Sequence, residues 1–477
     1  MTAAVGTLIT QPAMSLRSVA LLAPLLAIAP PVPAAAGRET PKLEYELYRL
    51  ENGLTVILHQ DRTVPLVAVH VEYDVGSKDE KPQRTGFAHL FEHLMFQGTA
   101  HLPKGMADRL LTAAGADNNG GTSQDATVYW EVGPANALSQ LLYVESERMG
   151  WLLPVIDQAK LDNQRDVVRN ERRQNYEMRP YGLAIDRVMA NLWNPEFPYH
   201  WLPIGSHEDL ERATLEDVRE FFLRWYGPEN AVLAIAGDFD PAEARRLVQE
   251  YFGPIPRGAG KPPLPDMTLP PTFGEWKREV VEDEVALPRL FLVFRIPPFG
   301  HDEHYAASVA SAILGMRKGS RLQRRLVRER QVASEAGAFT YDLSKGSDLL
   351  VVDVTARPGV GPDQMESEVA REIDDLREHG VRAEEVERAV ALVRTEYASA
   401  LQSAGDRADR LSMFATYFGD PALANAQLAR YEAVTAEQVN AFARARLGED
   451  NRASLLYVPR EQGVGRGVSG VEAEVSA

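Results

Sequence analysis

Apolar residues along this chain recur first at strand spacing and then at helix spacing, and the changes of period outline its elements. Between residues 45 and 75 they mark two neighbouring strands, Leu54-Thr55-Val56-Ile57-Leu58 and Leu66-Val67-Ala68-Val69-His70-Val71, with a turn at Asp61-Arg62. Gly86-Phe87-Ala88-His89-Leu90-Phe91-Glu92-His93-Leu94-Met95-Phe96 reads as one helix with apolar sides at Phe87, Leu90, Phe91 and Leu94. Thr85 is expected to cap its start and Gly98 to end it. A second helix is expected over residues 106–114 and extended backbone over 116–130. Helical spacing returns over 137–149 and 158–178, where Arg179-Pro180 stops it because the residue before proline avoids the helical region. Residues 191–198 are breaker-rich loop, 215–225 a helix, and the uniformly apolar Ala231-Val232-Leu233-Ala234-Ile235-Ala236-Gly237 a buried strand. Residues 253–272 hold seven prolines and no apolar period, which predicts a stiff extended linker.

The pattern repeats. Thr214, Glu216, Val218, Phe221, Gly227 and Asn230 match Thr435, Glu437, Val439, Phe442, Gly448 and Asn451, all at an offset of 221 positions (435 − 214). A shared helix start explains the first three pairs but not the glycine and asparagine in register beyond the helix. The chain is therefore expected to be α+β, with two homologous domains, each an antiparallel-rich sheet backed by helices. They are expected over residues 43–252 and 276–460, joined by a linker at 253–275 and followed by a flexible tail at 461–477.

Composition narrows the function. At 477 residues, 45% of them hydrophobic, the chain can bury more than one core. A formal charge of −17 argues against nucleic acid and anionic membrane surfaces as partners, since both need a basic footprint. Zero cysteines exclude disulfides, thiolate catalysis and cysteine-held metal, leaving histidine and carboxylate as the strong zinc donors. Arg17, an apolar run over 19–29 broken by Pro24, and Ala34-x-Ala36 predict a signal peptide over residues 1–36, and hence a periplasmic or secreted protein. No segment has the eighteen apolar residues of a membrane span.

The chemistry sits on the helix at residues 86–96. Positions four apart on a helix lie about 40° apart around it and about 6 Å along it, so His89 and His93 share a face suited to one zinc ion. Glu92, near the same face, can hold a water beside the metal as general base without being a ligand. Two histidines on an apolar helix can also be ordinary core residues. With ten histidines in the chain, His-x-x-Glu-His would arise by chance in about one such chain in a hundred, which favours metal. His59 and His70, without ligand spacing to this motif, are read as structural. Two histidines leave a catalytic zinc needing one more protein ligand. Separately, Gly120-Gly121 inside an extended segment marks either a bulge or a sheet edge left bare for a peptide backbone.

His-x-x-Glu-His is the zinc-protease His-Glu-x-x-His read backwards, and it resembles the signature of the inverzincins, the pitrilysin/insulinase family of zinc peptidases. The resemblance spans roughly residues 43 to 460 and suggests a bacterial processing-peptidase-like subunit. It implies that the third ligand is Glu171, in Val167-Val168-Arg169-Asn170-Glu171, and that Asn119, Gly120, Gly121 and Thr122 offer their edge to substrate. Family members tend to carry a glutamate seven positions before the third ligand, where this chain has Gln164. They also carry, in the second domain, an arginine and a tyrosine seven residues later that donate to the substrate carbonyl. Arg328 fits the first, but Glu335 stands at the second, with Ser334 one residue away and Tyr341 out of register.

The resemblance thus implies a zinc metalloendopeptidase acting on peptides or unstructured polypeptides enclosed in a chamber. The chain is about half the length of single-chain members. It is therefore expected to be the catalytic subunit of a heterodimer with a related chain carrying the Arg/Tyr pair, a homodimer being the alternative. A non-catalytic structural or peptide-binding subunit of the same family is the competing function.

Overall fold

The computed structural model describes residues 42–460. The predicted signal peptide and C-terminal tail lie outside the described residues.

Strand spacing resolves into two sheets. The first contains β1 (Glu46–Arg49), β2 (Thr55–Gln60), β3 (Leu66–Tyr73), β4 (Asp117–Thr122), β5 (Thr127–Pro134) and β6 (Ala231–Gly237), in the order β1-β2-β6-β3-β5-β4. All its pairs are antiparallel except β2–β6. The apolar run of β6 is buried at every position because the strand lies inside the sheet with both faces covered. The second sheet contains β7 (Lys277–Asp283), β8 (Arg289–Ile296), β9 (Ala333–Thr340), β10 (Asp348–Ala356) and β11 (Arg452–Pro459), in the order β7-β11-β8-β10-β9. Its one parallel pair is β7–β11. With β1 set aside, the two orders correspond strand for strand, and the parallel pair falls at the same place in each. The chain is α+β, two domains built on one topology.

Local chemistry explains the fixed offset. Thr214 and Thr435 each cap a helix through a reciprocal box, with Asp217 and Gln438 respectively. Asn230 donates from its side chain to the carbonyls of Trp225 (2.8 Å) and Asp74 (3.1 Å). Asn451 donates likewise to Arg446 (2.7 Å) and Arg295 (2.8 Å), residues at the same offset. In both halves one asparagine ties a helix end to a strand end, a job no apolar residue could do.

Four helices of the first half matter for the site: α1 (Phe87–Leu94), α2 (Met106–Ala114), α3 (Leu138–Trp151) and α4 (Gln158–Arg172). Val56, Val69, Val71, Leu233 and Ile235 share a core with Phe91, Leu141 and Leu142 on one face of the first sheet. The opposite face, with Ile57, Ala68, Val232 and Ala234, is covered by Ala408, Leu411 and Phe414 of the second-half helix Ala404–Phe418. The domains are thereby joined through a core. His70 belongs to this joint: its Nδ1 lies 2.9 Å from Ser412 Oγ, which lies 2.8 Å from the Glu72 carboxyl. His59 donates to the Glu44 carbonyl (2.7 Å), so both histidines have structural partners. No helix or strand interrupts the proline-rich stretch between the helix Pro241–Phe252 and β7.

Candidate active site

The motif helix starts differently from its sequence expectation. Its cap position is Gly86, in the left-handed region at φ 87°, and Thr85 is turned away, bonding Asp209 through both its amide (3.1 Å) and its hydroxyl (2.5 Å). The free N–H groups of the first turn are met instead by the buried Glu80 carboxyl group, which accepts from Gly86 (2.9 Å) and Ala88 (2.8 Å). A side-chain oxygen on Gly86 is impossible, so an acidic residue from the preceding loop does the capping. The helix also ends at Leu94, ahead of the expected stop at Gly98. Phe87, Leu90, Phe91 and Leu94 are buried, and this fixes the helix's roll.

His89 and His93 stand on the remaining face with ring centroids 4.7 Å apart. The α4 helix crosses α1 and brings Glu171 to them: its Oε2 lies 3.3 Å from His93 Nε2 and 3.7 Å from His89 Nε2. One donor atom from each of the three lies within 4.8 Å of the others. Two donors about 2.1 Å from a tetrahedral zinc are about 3.4 Å apart, so the spacing fits that ion. Among the described residues the ion-pair partners of Glu171 are the two histidines, with no lysine or arginine. Burial, followed by the His93 charge, lowers His89 to about 4 against the pull of Glu171, leaving the neutral imidazole that a metal requires. Burial pushes Glu171 up, but the contact with His93 and the two imidazole charges outweigh it and hold the carboxyl below its usual value.

Glu92 faces β4. Thr122 Oγ1 donates to its Oε2 at 2.6 Å. Burial raises the Glu92 carboxyl, and Thr122 and His93 partly offset that rise. β4 is the bare edge of the first sheet and keeps unbroken register with β5, pairing Asn119 with Trp130, Gly120 with Tyr129 and Gly121 with Val128. The bulge that two adjacent glycines could have signalled is absent. Gly120 leaves little room for a side chain: a Cβ there would lie 3.2 Å from Phe96 and Tyr129 and 3.3 Å from Glu92 Cγ.

Arg328 lies elsewhere. It is on the π-helical segment Gln323–Glu329 of the second domain, exposed, and donates to the Lys318 carbonyl (2.9 Å). No hydrogen bond or ion pair joins it to His89, Glu92, His93 or Glu171. Ser334 spends its hydroxyl on the Ala356 carbonyl (3.1 Å), and Glu335 is exposed. Tyr341 neighbours Tyr176, whose phenol is pushed up to about 12 by burial and then by Tyr341 and Glu171. Tyr176 sits on a five-residue π-helical turn, Arg173–Glu177, directly after α4. Sequence reasoning missed Glu80, the Thr122 bond to Glu92, and Tyr176. A π-helical turn leaves no periodic trace, and the other two contacts depend on loops or strands remote from the motif. Gln164 is buried and donates to Asn163 (2.7 Å), while His89 Nδ1 has no hydrogen-bond partner among the described residues.

Comparison with known proteins bears on this arrangement. The family model described as "Insulinase (Peptidase family M16)" matches residues 55–197, and that described as "Peptidase M16 inactive domain" matches residues 212–393. The chain is 29% identical over 376 residues to a zinc protease, PqqE, of Helicobacter pylori, covering 78% of this chain and 83% of that protein. It is 25% identical over 272 residues to the mitochondrial-processing peptidase subunit beta of Blastocladiella emersonii, covering 57% of this chain and 56% of that one. The crystal structure of a protease from Helicobacter pylori superposes with a TM-score of 0.81 at 25% identity, over 87% of this chain and 99% of that one.

Proposed function

We propose, from the premise that this chain belongs to the insulinase (M16) family of peptidases, that it is a zinc metalloendopeptidase whose metal is held by His89, His93 and Glu171 and whose general base is Glu92. The observation that carries this is the convergence of two imidazoles and one carboxylate, with a second, hydroxyl-held carboxylate alongside. The second-half match to a domain described as inactive accords with both ligand helices lying in the first half.

Zinc, when bound, supplies a Lewis acid for the scissile carbonyl and for water. Glu92 takes the proton of the attacking water and passes it to the leaving amine, a transfer for which a buried carboxylate with a raised pKa is suited. Thr122 fixes which oxygen of Glu92 is free to do this. The edge of β4, from Asn119 to Thr122, takes an extended peptide as an added strand, so the enzyme selects unstructured segments. Arg328 is the second-domain residue assigned to substrate contact once a chamber is assembled.

The partner is a related subunit carrying an Arg/Tyr pair, an assignment supported by the relative named as a subunit. Tyr341, close to Tyr176, favours the homodimer as second reading. We place the protein in the periplasm or outside the cell on the strength of the apolar run and Ala34-x-Ala36. Chelation is the test. Peptide cleavage should stop on metal removal and return with zinc, while far-UV circular dichroism stays unchanged because each core stands without metal. Cleavage that survives complete metal removal overturns the proposal.

A further inference from the structure

A second group of donors lies in the other domain. His304 on the helix Asp302–Gly315, Asp342 in the loop after β9, and Asp348 at the start of β10 converge, with one donor atom from each within 4.8 Å of the others. His304 and Asp348 are both 0% exposed. His304 Nδ1 lies 3.3 Å from the Pro297 carbonyl and 3.5 Å from Asp348 Oδ2, which fixes the proton on Nδ1. Its Nε2 faces Asp342 Oδ1, 3.3 Å away. Neither Nε2 nor Asp348 Oδ2 has a hydrogen-bond partner.

An imidazole nitrogen and a carboxylate oxygen at this distance are held together by a proton or by a cation between them. The 3.3 Å separation is close to the roughly 3.4 Å expected for two ligands of one tetrahedral zinc. Asp342 is aimed by Thr340, whose hydroxyl donates to its Oδ1 (2.7 Å), and its backbone sits in the left-handed region at φ 63°. The Asp342 side chain is 55% exposed and lines a cavity of about 740 Å³ between the domains, which gives a metal ion a path in and room for water.

We propose that His304, Asp342 and Asp348 form a second divalent-cation site of the zinc class, independent of His89, His93 and Glu171. An imidazole with two carboxylates suits zinc or manganese better than calcium. The site would fasten the loop that joins the domains: Ser344 N–H donates to Asp125 Oδ2 (2.7 Å) and Lys345 N–H to the Tyr199 hydroxyl (3.0 Å), just beyond the β4 edge. A cation at the base of this loop would steady the second domain against the strand assigned to substrate.

Metal content of the full-length protein, equilibrated with zinc and measured by atomic emission, tests this. Wild type should hold two ions per chain, Asp342→Asn one, and the His89→Ala/His93→Ala double variant one. Asp342→Asn is chosen because the side chain is half-exposed and the variant should fold, whereas His304→Ala opens a hole in a core; matching circular dichroism would verify this. One ion per chain in wild type, unchanged in Asp342→Asn, overturns the site and leaves His304 as an imidazolium shared between two aspartates. Loss of all metal in the His89→Ala/His93→Ala variant overturns it equally.

Discussion

Glu92 is positioned by residues that are not its sequence neighbours. Thr122 donates to it at 2.6 Å, and Gly120 leaves the space above its Cγ. Thr122→Val keeps the shape and removes a hydrogen bond to a charged group, worth about 1.5–3 kcal/mol, so kcat is expected to fall about 10- to 100-fold. Thr122→Ser should restore most of it, as steady-state cleavage of a fixed peptide would check. Gly120→Val forces its branches into Phe96, Tyr129 and Glu92, and a displacement of about 1 Å at the base predicts a roughly 100-fold loss of kcat/KM. Equal activity of Gly120→Val and wild type would mean that nothing reacts against this strand. That His89 and His93 share one helix face with Glu92 beside them was legible in sequence because spacings of three and four residues on one helix are local facts. The hydroxyl bond was not, since Thr122 and Glu92 are 30 positions apart and meet only through sheet formation.

At the scale of the elements, α1 depends on two buried ionisable groups. Glu80→Ala removes the acceptor for two helix N–H groups and is expected to cost about 1–3 kcal/mol in urea unfolding and to weaken metal binding. Beneath Phe96, Arg148 sits 4.6 Å from the ring centroid and pairs with the buried Glu131 (2.7 Å) and Glu145. Arg148→Met would leave two carboxylates buried without a counter-charge, a loss of about 3–5 kcal/mol, visible as a fall in urea midpoint. In the second domain, burial pushes Glu385 up, but Arg321 and the Arg382 N–H bring it down from 4.5 to about 2. A carboxylate lowered on folding contributes stability that is present above its unfolded value and is lost as pH falls from 4.5 toward about 2. Arg321→Met should therefore lower the urea midpoint at pH 5 and flatten its decline below pH 4. Several first-half elements, among them β2, β3, β6 and α1, were readable from period. The covering of the first sheet by the helix Ala404–Phe418 was not, because an apolar helix face does not say which domain it will meet.

For the whole molecule, the repeat was visible in six residues at one offset, and the structure shows why: helix boxes and the Asn230 and Asn451 ties are local requirements that each copy must keep. The Arg and Tyr that the family resemblance leads one to expect resisted this kind of reading. Arg328 faces its own loop, and Tyr341 lies beside Tyr176, outside the expected register. If a second chain completes the chamber, adding a tyrosine-bearing paralogue should raise cleavage about 100- to 1000-fold, the usual worth of one oxyanion donor. Full activity of the lone chain would exclude that partner. The most direct test compares wild type with Glu92→Gln on an unstructured polypeptide, with metal analysis of both, each purified with any subunit that accompanies it. For a zinc peptidase with Glu92 as base, the variant should keep its full metal content while cleavage falls about 100- to 10,000-fold. Undiminished cleavage by Glu92→Gln would contradict it.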